Sequence, residues 1–320
     1  MILAGAAALA GCGSNGDTAR RAPSVPPPPG LASAEHVTAA DFPAPGRHTL
    51  QQLAGQVKAG AKVGFATSVL LPGRQRVAFG MIGPDNHFLY GKSALYIASS
   101  PGARARGPYP APADPMTVKP AFLSRTAAQD SADIKAVYET EIPFAKPGRY
   151  AVLAVTRTAH GLTGAGTEVT VRRSSPIPNV GDRPPRIHTD TVASAHGDVS
   201  KIDTRDPHDD MHKVDFHDVI GRKPVALLFA TPLLCQSRVC GPVTDIAMQL
   251  ESEFHDRITF IHEEVYVDNN VQKGLRPQLL AFHLRSEPWL FTFRRDGSVA
   301  ARLEGAFGID AFRRAVEAAL

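Results

Sequence analysis

A chain of 320 residues, 43% hydrophobic and 21% charged, is long enough for two domains with separate cores. Its +4 net charge, 35 Lys and Arg against 31 Asp and Glu, contains no basic run, which argues against a nucleic-acid arm. After the first dozen residues no apolar stretch approaches the ~20 needed to cross a bilayer.

Residues 1–12 are a short apolar segment ending in Leu9-Ala10-Gly11-Cys12. That length suits a secretory h-region, not a membrane span. The last four residues resemble the bacterial lipobox, in which the cysteine is lipidated and becomes the mature N-terminus. No Lys or Arg precedes the apolar run, a departure from such leaders. The resemblance implies an extracytoplasmic protein held to the membrane through lipid on Cys12, in a compartment where disulfides persist. Residues 13–50, with the Pro26–Pro29 run, show no apolar period and are expected to form a tether.

Residues 51–173 carry short alternating segments between Gly and Pro. The expected strands are Lys62–Leu71, Arg76–Ile82, Ser93–Ala98, Ile134–Ile142, Tyr150–Arg157 and Thr167–Val171, which together predict a β-sandwich. The Pro-rich stretch 101–120 is expected to be a long loop. Phe144-Ala145-Lys146-Pro147-Gly148-Arg149-Tyr150 resembles the turn before the penultimate strand of immunoglobulin-like domains, which implies that Tyr150 packs or bonds at a corner between sheets. Such a module would serve as a spacer or a partner-docking unit. Residues 174–216 are expected to be a linker and docking segment, polar and irregular. His208, Met211, His212 and His217 lie in or just past it, and a solvated docking loop is the expectation there over a copper site.

From residue 217 to 320 the pattern changes. Strands are expected at 224–230, 258–267, 288–293 and 299–303, with helices at 243–254, 277–284 and 309–320. That order is an α/β layout with a mixed sheet. Cys235 and Cys240, four residues apart, fall between the first strand and the first helix. Backbone N–H groups converge at such a junction, and the helix dipole stabilises a thiolate. Pro242 fits the first helical turn, so Cys240 is expected at or beside the N-cap with the lower pKa, and Cys235 as its loop partner. Which cysteine attacks is left open. As a purely structural bridge, so short a loop would contribute only about 2 kcal/mol.

The segment Leu284–Val299, with Pro288 followed by a hairpin around Gly297, resembles the thioredoxin segment that carries the cis-proline. The resemblance covers about a third of the chain and implies a thioredoxin-like domain. In that family the proline faces the cysteines and the preceding backbone pairs with substrate, which makes Glu287, Pro288 and Trp289 the substrate side. Cys240-Gly241-Pro242 repeats the start of the family's Cys-Gly-Pro-Cys motif, but Val243 stands where the second cysteine belongs. The spaced pair is also similar to that of Sco-type copper chaperones, which have three intervening residues. That alternative would give copper Cys235, Cys240 and His262 or His283 as ligands, two thiolates plus imidazole suiting Cu(I). Glu263 and Glu264 are candidates for a proton relay, at least one of them facing outward because strand neighbours alternate. The expected function is a membrane-anchored thiol–disulfide oxidoreductase acting on protein thiols and disulfides, with no cofactor beyond its own disulfide. A non-catalytic adaptor is the remaining alternative.

Overall fold

The computed structural model describes residues 27–125, 127 and 134–320. Cys12 and the apolar leader lie outside these residues.

Eight strands form two four-stranded antiparallel sheets: β1 (Lys62–Phe65), β2 (Gly73–Ile82), β3 (Lys92–Ala98), β4 (Arg106–Ala111), β5 (Ala113–Pro115), β6 (Ala136–Phe144), β7 (Gly148–Thr158) and β8 (Gly161–Val171). Their orders are β1-β2-β6-β5 and β4-β3-β7-β8. Alternate residues such as Phe79, Leu95, Ile97, Tyr138 and Val152 fill the space between the sheets. Tyr150 turns its ring edge onto Phe144 at 5.1 Å between centroids and donates its hydroxyl to the Lys146 carbonyl at 3.0 Å. This is the corner bond expected of an immunoglobulin-like turn.

Two expectations fail in this half. The stretch 101–120 is not one long loop but contains β4 and β5. Prolines weaken a strand signal, and both strands lie at sheet edges, where a missing N–H is tolerated. Nor are residues 27–50 a tether. Helix α1 (Leu31–Ala34) buries both its ends, and α2 (Leu50–Ala54) starts in a capping box between Thr49 and Gln52. The cause lies in β7, whose run Ala151-Val152-Leu153-Ala154-Val155 is apolar on both faces. Val152 and Ala154 face the opposite sheet, so Ala151, Leu153 and Val155 need a second cover, which Phe42, Leu50 and Leu53 supply.

The C-terminal sheet has the order β10-β9-β11-β12, from β9 (Val225–Phe229), β10 (Thr259–Glu263), β11 (Trp289–Phe293) and β12 (Val299–Glu304). β9 and β10 are parallel, and β11 is antiparallel to both of its neighbours. Both faces of β9 are buried. Ala226 and Leu228 pack under α4 (Cys240–Phe254) and α6 (Ile309–Glu317), and Val225, Leu227 and Phe229 pack under α3 (Phe216–Val219) and α5 (Pro277–Ala281). Residues 187–216 lie along β10, where the Met211 carbonyl accepts the His262 N–H at 3.2 Å.

The two halves share an apolar seam. Ala78, Met116 and Val137 of the sandwich join the core beneath α4 and α6. Asp114 accepts from the N–H groups of Gly308, Asp310 and Ala311 at 2.9–3.1 Å, capping α6 from the other domain. A side chain at Gly308 would put its Cβ 2.3 Å from that carboxylate, so only glycine admits the cap. Glu304 reaches across to accept from the N–H groups of Ser68 and Val69, both at 3.0 Å. The sandwich is therefore fixed to the α/β unit and is not a freely hinged spacer.

Candidate active site

Both cysteines are free and lie at the junction of β9 and α4. Cys235 is 8% exposed and Cys240 0%. The Cys235 sulfur takes a hydrogen bond from the Cys240 thiol, lies 3.2 Å from the Ser237 hydroxyl, and accepts from the backbone N–H groups of Val239 and Cys240. The Cys240 hydrogen bond is the largest influence, and with its companions it outweighs burial and draws Cys235 down to about 6. Cys240 moves the other way. Burial, the proton it gives Cys235 and the Cys235 charge together push its thiol well above the ordinary range.

This reverses the sequence expectation that Cys240 carries the lower pKa. The first N–H groups of a helix converge on whatever sits in front of it, and Cys235 sits there. Cys240 belongs to the helix itself and points into the core. Val243, at the thioredoxin motif's second cysteine position, is a fully buried core residue.

The substrate-side residues separate. The Glu287–Pro288 bond is cis, and the Pro288 carbonyl accepts from Gly305 at 2.9 Å. Burial and then the Cys235 charge raise the Glu287 carboxyl to about 7, and its charge in turn acts on Cys240. Trp289 does not belong to this side. It is buried with Phe291, ring stacked at 5.8 Å, in the core on the other face of the sheet, because strand neighbours alternate. Tyr266 also faces the cysteine pair, and its hydroxyl is shifted upward by burial, Glu287 and both cysteines. Nothing in its local sequence marks it, since only the fold carries the end of β10 to the cysteine loop. A cavity of ≈ 300 Å³ opens beside the pair, with Ser237, Val239 and Glu287 on one wall and Phe65, Ile82 and Val137 of the sandwich on the other.

Glu263 and Glu264 are both buried, so neither faces outward as expected. β10 is a sheet edge, but residues 187–216 cover it. Glu263 accepts from Asp190 N–H at 2.9 Å and is raised to about 8 by burial. Glu264 accepts from the Thr204 N–H and hydroxyl at 2.8 and 2.6 Å. Glu287, not this pair, is the carboxylate whose field reaches the cysteines.

The histidines also depart from expectation. His283 is exposed, and His262 is buried against Asp209 at 2.8 Å. Among the described residues, the one group of three or more possible metal ligands is Asp203, Asp209, His212 and His262, and it includes neither cysteine. The segment expected to be a solvated loop buries Asp203, Asp209, Met211 and His212. It docks through Arg205, whose guanidinium meets Asp245 of α4 at 3.0 Å in the interior. His217, just beyond it, stacks on His188 at 4.3 Å.

No protein-family model matches this chain, and no curated protein matches it. Among solved structures it is similar to a thiol:disulfide interchange protein DsbE from Chlorobium tepidum, with 15% identity over 44% of this chain and 98% of that one, TM-score 0.32. It is also similar to MTB dsbF, with 19% identity over 43% and 99%, TM-score 0.30. A third similarity is to the PKD domain of an M14-like peptidase from a Thermoplasmatales archaeon, with 15% identity over 36% and 95%, TM-score 0.19. The sheet order, the cysteines ahead of α4 and the cis-proline ahead of β11 speak for themselves. The α/β unit is thioredoxin-like. The unit before it is a sandwich of two antiparallel sheets with an immunoglobulin-like corner at Tyr150.

Proposed function

We propose that the chain is a thiol–disulfide oxidoreductase in which Cys235 is the attacking and Cys240 the resolving cysteine. One observation carries this reading: the helix N–H groups and the Cys240 thiol all donate to the Cys235 sulfur, drawing it down to about 6. At neutral pH Cys235 is then mostly thiolate, and the thiolate is the nucleophile.

In the reducing direction the Cys235 thiolate attacks one sulfur of a substrate disulfide. A mixed disulfide forms, and the first substrate thiolate leaves and takes a proton from water. Cys240 then gives up its proton, attacks the Cys235 sulfur and expels the second substrate thiolate. Two electrons have passed to the substrate, and Cys235 and Cys240 are joined. Glu287, raised to about 7, is matched to accept the Cys240 proton at neutral pH. The oxidising direction is the same sequence reversed, and the potential of the pair sets which one runs. The pair itself is the electron carrier, so no further cofactor is needed. The substrates would be protein thiols and disulfides, their apolar flanks resting in the cavity between Val239 and the sandwich. Leu9-Ala10-Gly11-Cys12 supports placing the enzyme outside the cytoplasm, anchored through lipid on Cys12.

The test is a redox titration of the full chain against a glutathione or dithiothreitol series. A reversible two-electron transition between roughly −120 and −270 mV, with turnover of a disulfide substrate, is expected. A pair that shows no transition, or activity that survives both Cys235→Ser and Cys240→Ser, would make the domain an adaptor instead.

A further inference from the structure

Away from the cysteines, four polar side chains meet in the interior. Asp203, Asp209 and His212 come from the segment along β10, and His262 comes from β10 itself. Their candidate ligand atoms all lie within 4.8 Å of one another, and all four residues are buried. His262 Nδ1 is 2.8 Å from Asp209 Oδ2, and His212 Nε2 is 3.4 Å from Asp209 Oδ1 and 3.9 Å from Asp203 Oδ2.

The surrounding groups hold these side chains in place. The Arg205 and Asp209 N–H groups donate to the two oxygens of Asp203, each at 2.7 Å, and the Met211 N–H donates to Asp209 at 2.9 Å. His262 Nε2 meets the Ala230 carbonyl at 3.1 Å, which fixes that nitrogen as N–H and turns Nδ1 inward. The exception is His212. It is 1% exposed, and neither ring nitrogen has a hydrogen-bond partner. The Asp190 backbone approaches the ring, but not in hydrogen-bond alignment. A buried imidazole without a partner is costly, and one aimed at two carboxylates is the arrangement of a ligand.

We propose that Asp203, Asp209, His212 and His262 form a binding site for one divalent transition cation, with Zn²⁺ the best fit. Two carboxylates and two neutral imidazoles balance its charge and supply a four-coordinate N₂O₂ set. With bonds of about 2.0–2.2 Å, a tetrahedron has edges of roughly 3.4 Å. The spacings of 2.8, 3.4 and 3.9 Å bracket that value, so small side-chain shifts suffice. The ion replaces the proton between His262 and Asp209, and that proton leaves to solvent. No thiolate is present to select Cu(I), and the two imidazoles disfavour Ca²⁺ and Mg²⁺. His208, partly exposed and 3.6 Å from Asp203, lies on the solvent side of the cluster. The site would be structural. It stitches residues 203–212 to β10, and from the same segment the Thr204 hydroxyl accepts the Leu233 N–H at 3.1 Å and so steadies the cysteine loop.

The test uses the full chain with Cys12→Ser, Cys235→Ser and Cys240→Ser, so that no thiol competes, stripped with a chelator and titrated with Zn²⁺ alone against a chromophoric competitor. One equivalent is expected, with a rise in Tm on loading. His212→Ala should weaken Zn²⁺ by roughly 10- to 100-fold or more and abolish the Tm rise, while leaving the metal-free Tm within a few degrees. Failure to bind one equivalent, or binding and Tm gain that survive His212→Ala, would overturn the site.

Discussion

The cysteine loop and the carboxylate–histidine cluster sit on the same α/β unit but are built on opposite plans. The loop gathers its chemistry within six consecutive residues and sets Ser237 and Val239, the neighbours of the pair, on the cavity wall. The cluster draws four side chains from positions 203 to 262 and seals them in the interior. In the loop, donors converge on one sulfur and favour its thiolate. In the cluster, opposite charges hold each other: the fields of Asp209 and Asp203 overcome burial and raise His262 to about 10. A reactive group must be left reachable, whereas a structural one can be buried because its partners replace water.

Substitutions separate the two plans. Cys235→Ser should abolish disulfide exchange while leaving the unfolding free energy from a urea melt within about 0.5 kcal/mol of the parent, because little packing changes. Asp209→Asn should do the opposite. In the metal-free chain it strands a buried imidazolium and should cost about 3–5 kcal/mol in a urea melt, with the Cys235 ionisation midpoint still near 6. If exchange fails in proportion to stability, the loop and the cluster are not separable.

Gly308→Ala asks whether the domain seam belongs with the rigid part. Its Cβ would sit 2.3–2.5 Å from the Asp114 carboxylate and the Pro115 carbonyl, so a loss of roughly 1–3 kcal/mol is expected in the same melt. The smallest change is within the loop. Cys240→Ala removes the leading donor to Cys235, so the pH midpoint for Cys235 alkylation should move upward from about 6 towards the ordinary thiol value near 8.5.

The contrast also explains what could be read from the sequence. β9, α4 and the proline before β11 are legible because each is a continuous stretch with its own period or punctuation. β4 and β5 were hidden by their prolines, and residues 27–54 by apolar positions too sparse to show a period. The cysteines are visible as a pair, but not which one ionises, since that depends on which sulfur lies in front of the helix. Asp203, Asp209 and His212 resemble an ordinary polar loop because their partner His262 lies far along the chain, 53 residues beyond Asp209, on a strand that only the fold brings alongside. The burial of both Glu263 and Glu264 is hidden for the same reason, because strand alternation does not reveal that an edge is covered.

The most direct measurement is site-resolved alkylation of the reduced full chain across pH 4–10, read by peptide mass. Thiolate chemistry at Cys235 should rise with pH to half its plateau near 6, and fall about tenfold for each unit below that, while Cys240 stays unmodified. Modification of Cys240 first, or a Cys235 midpoint near 8.5, would contradict the assignment of Cys235 as the nucleophile.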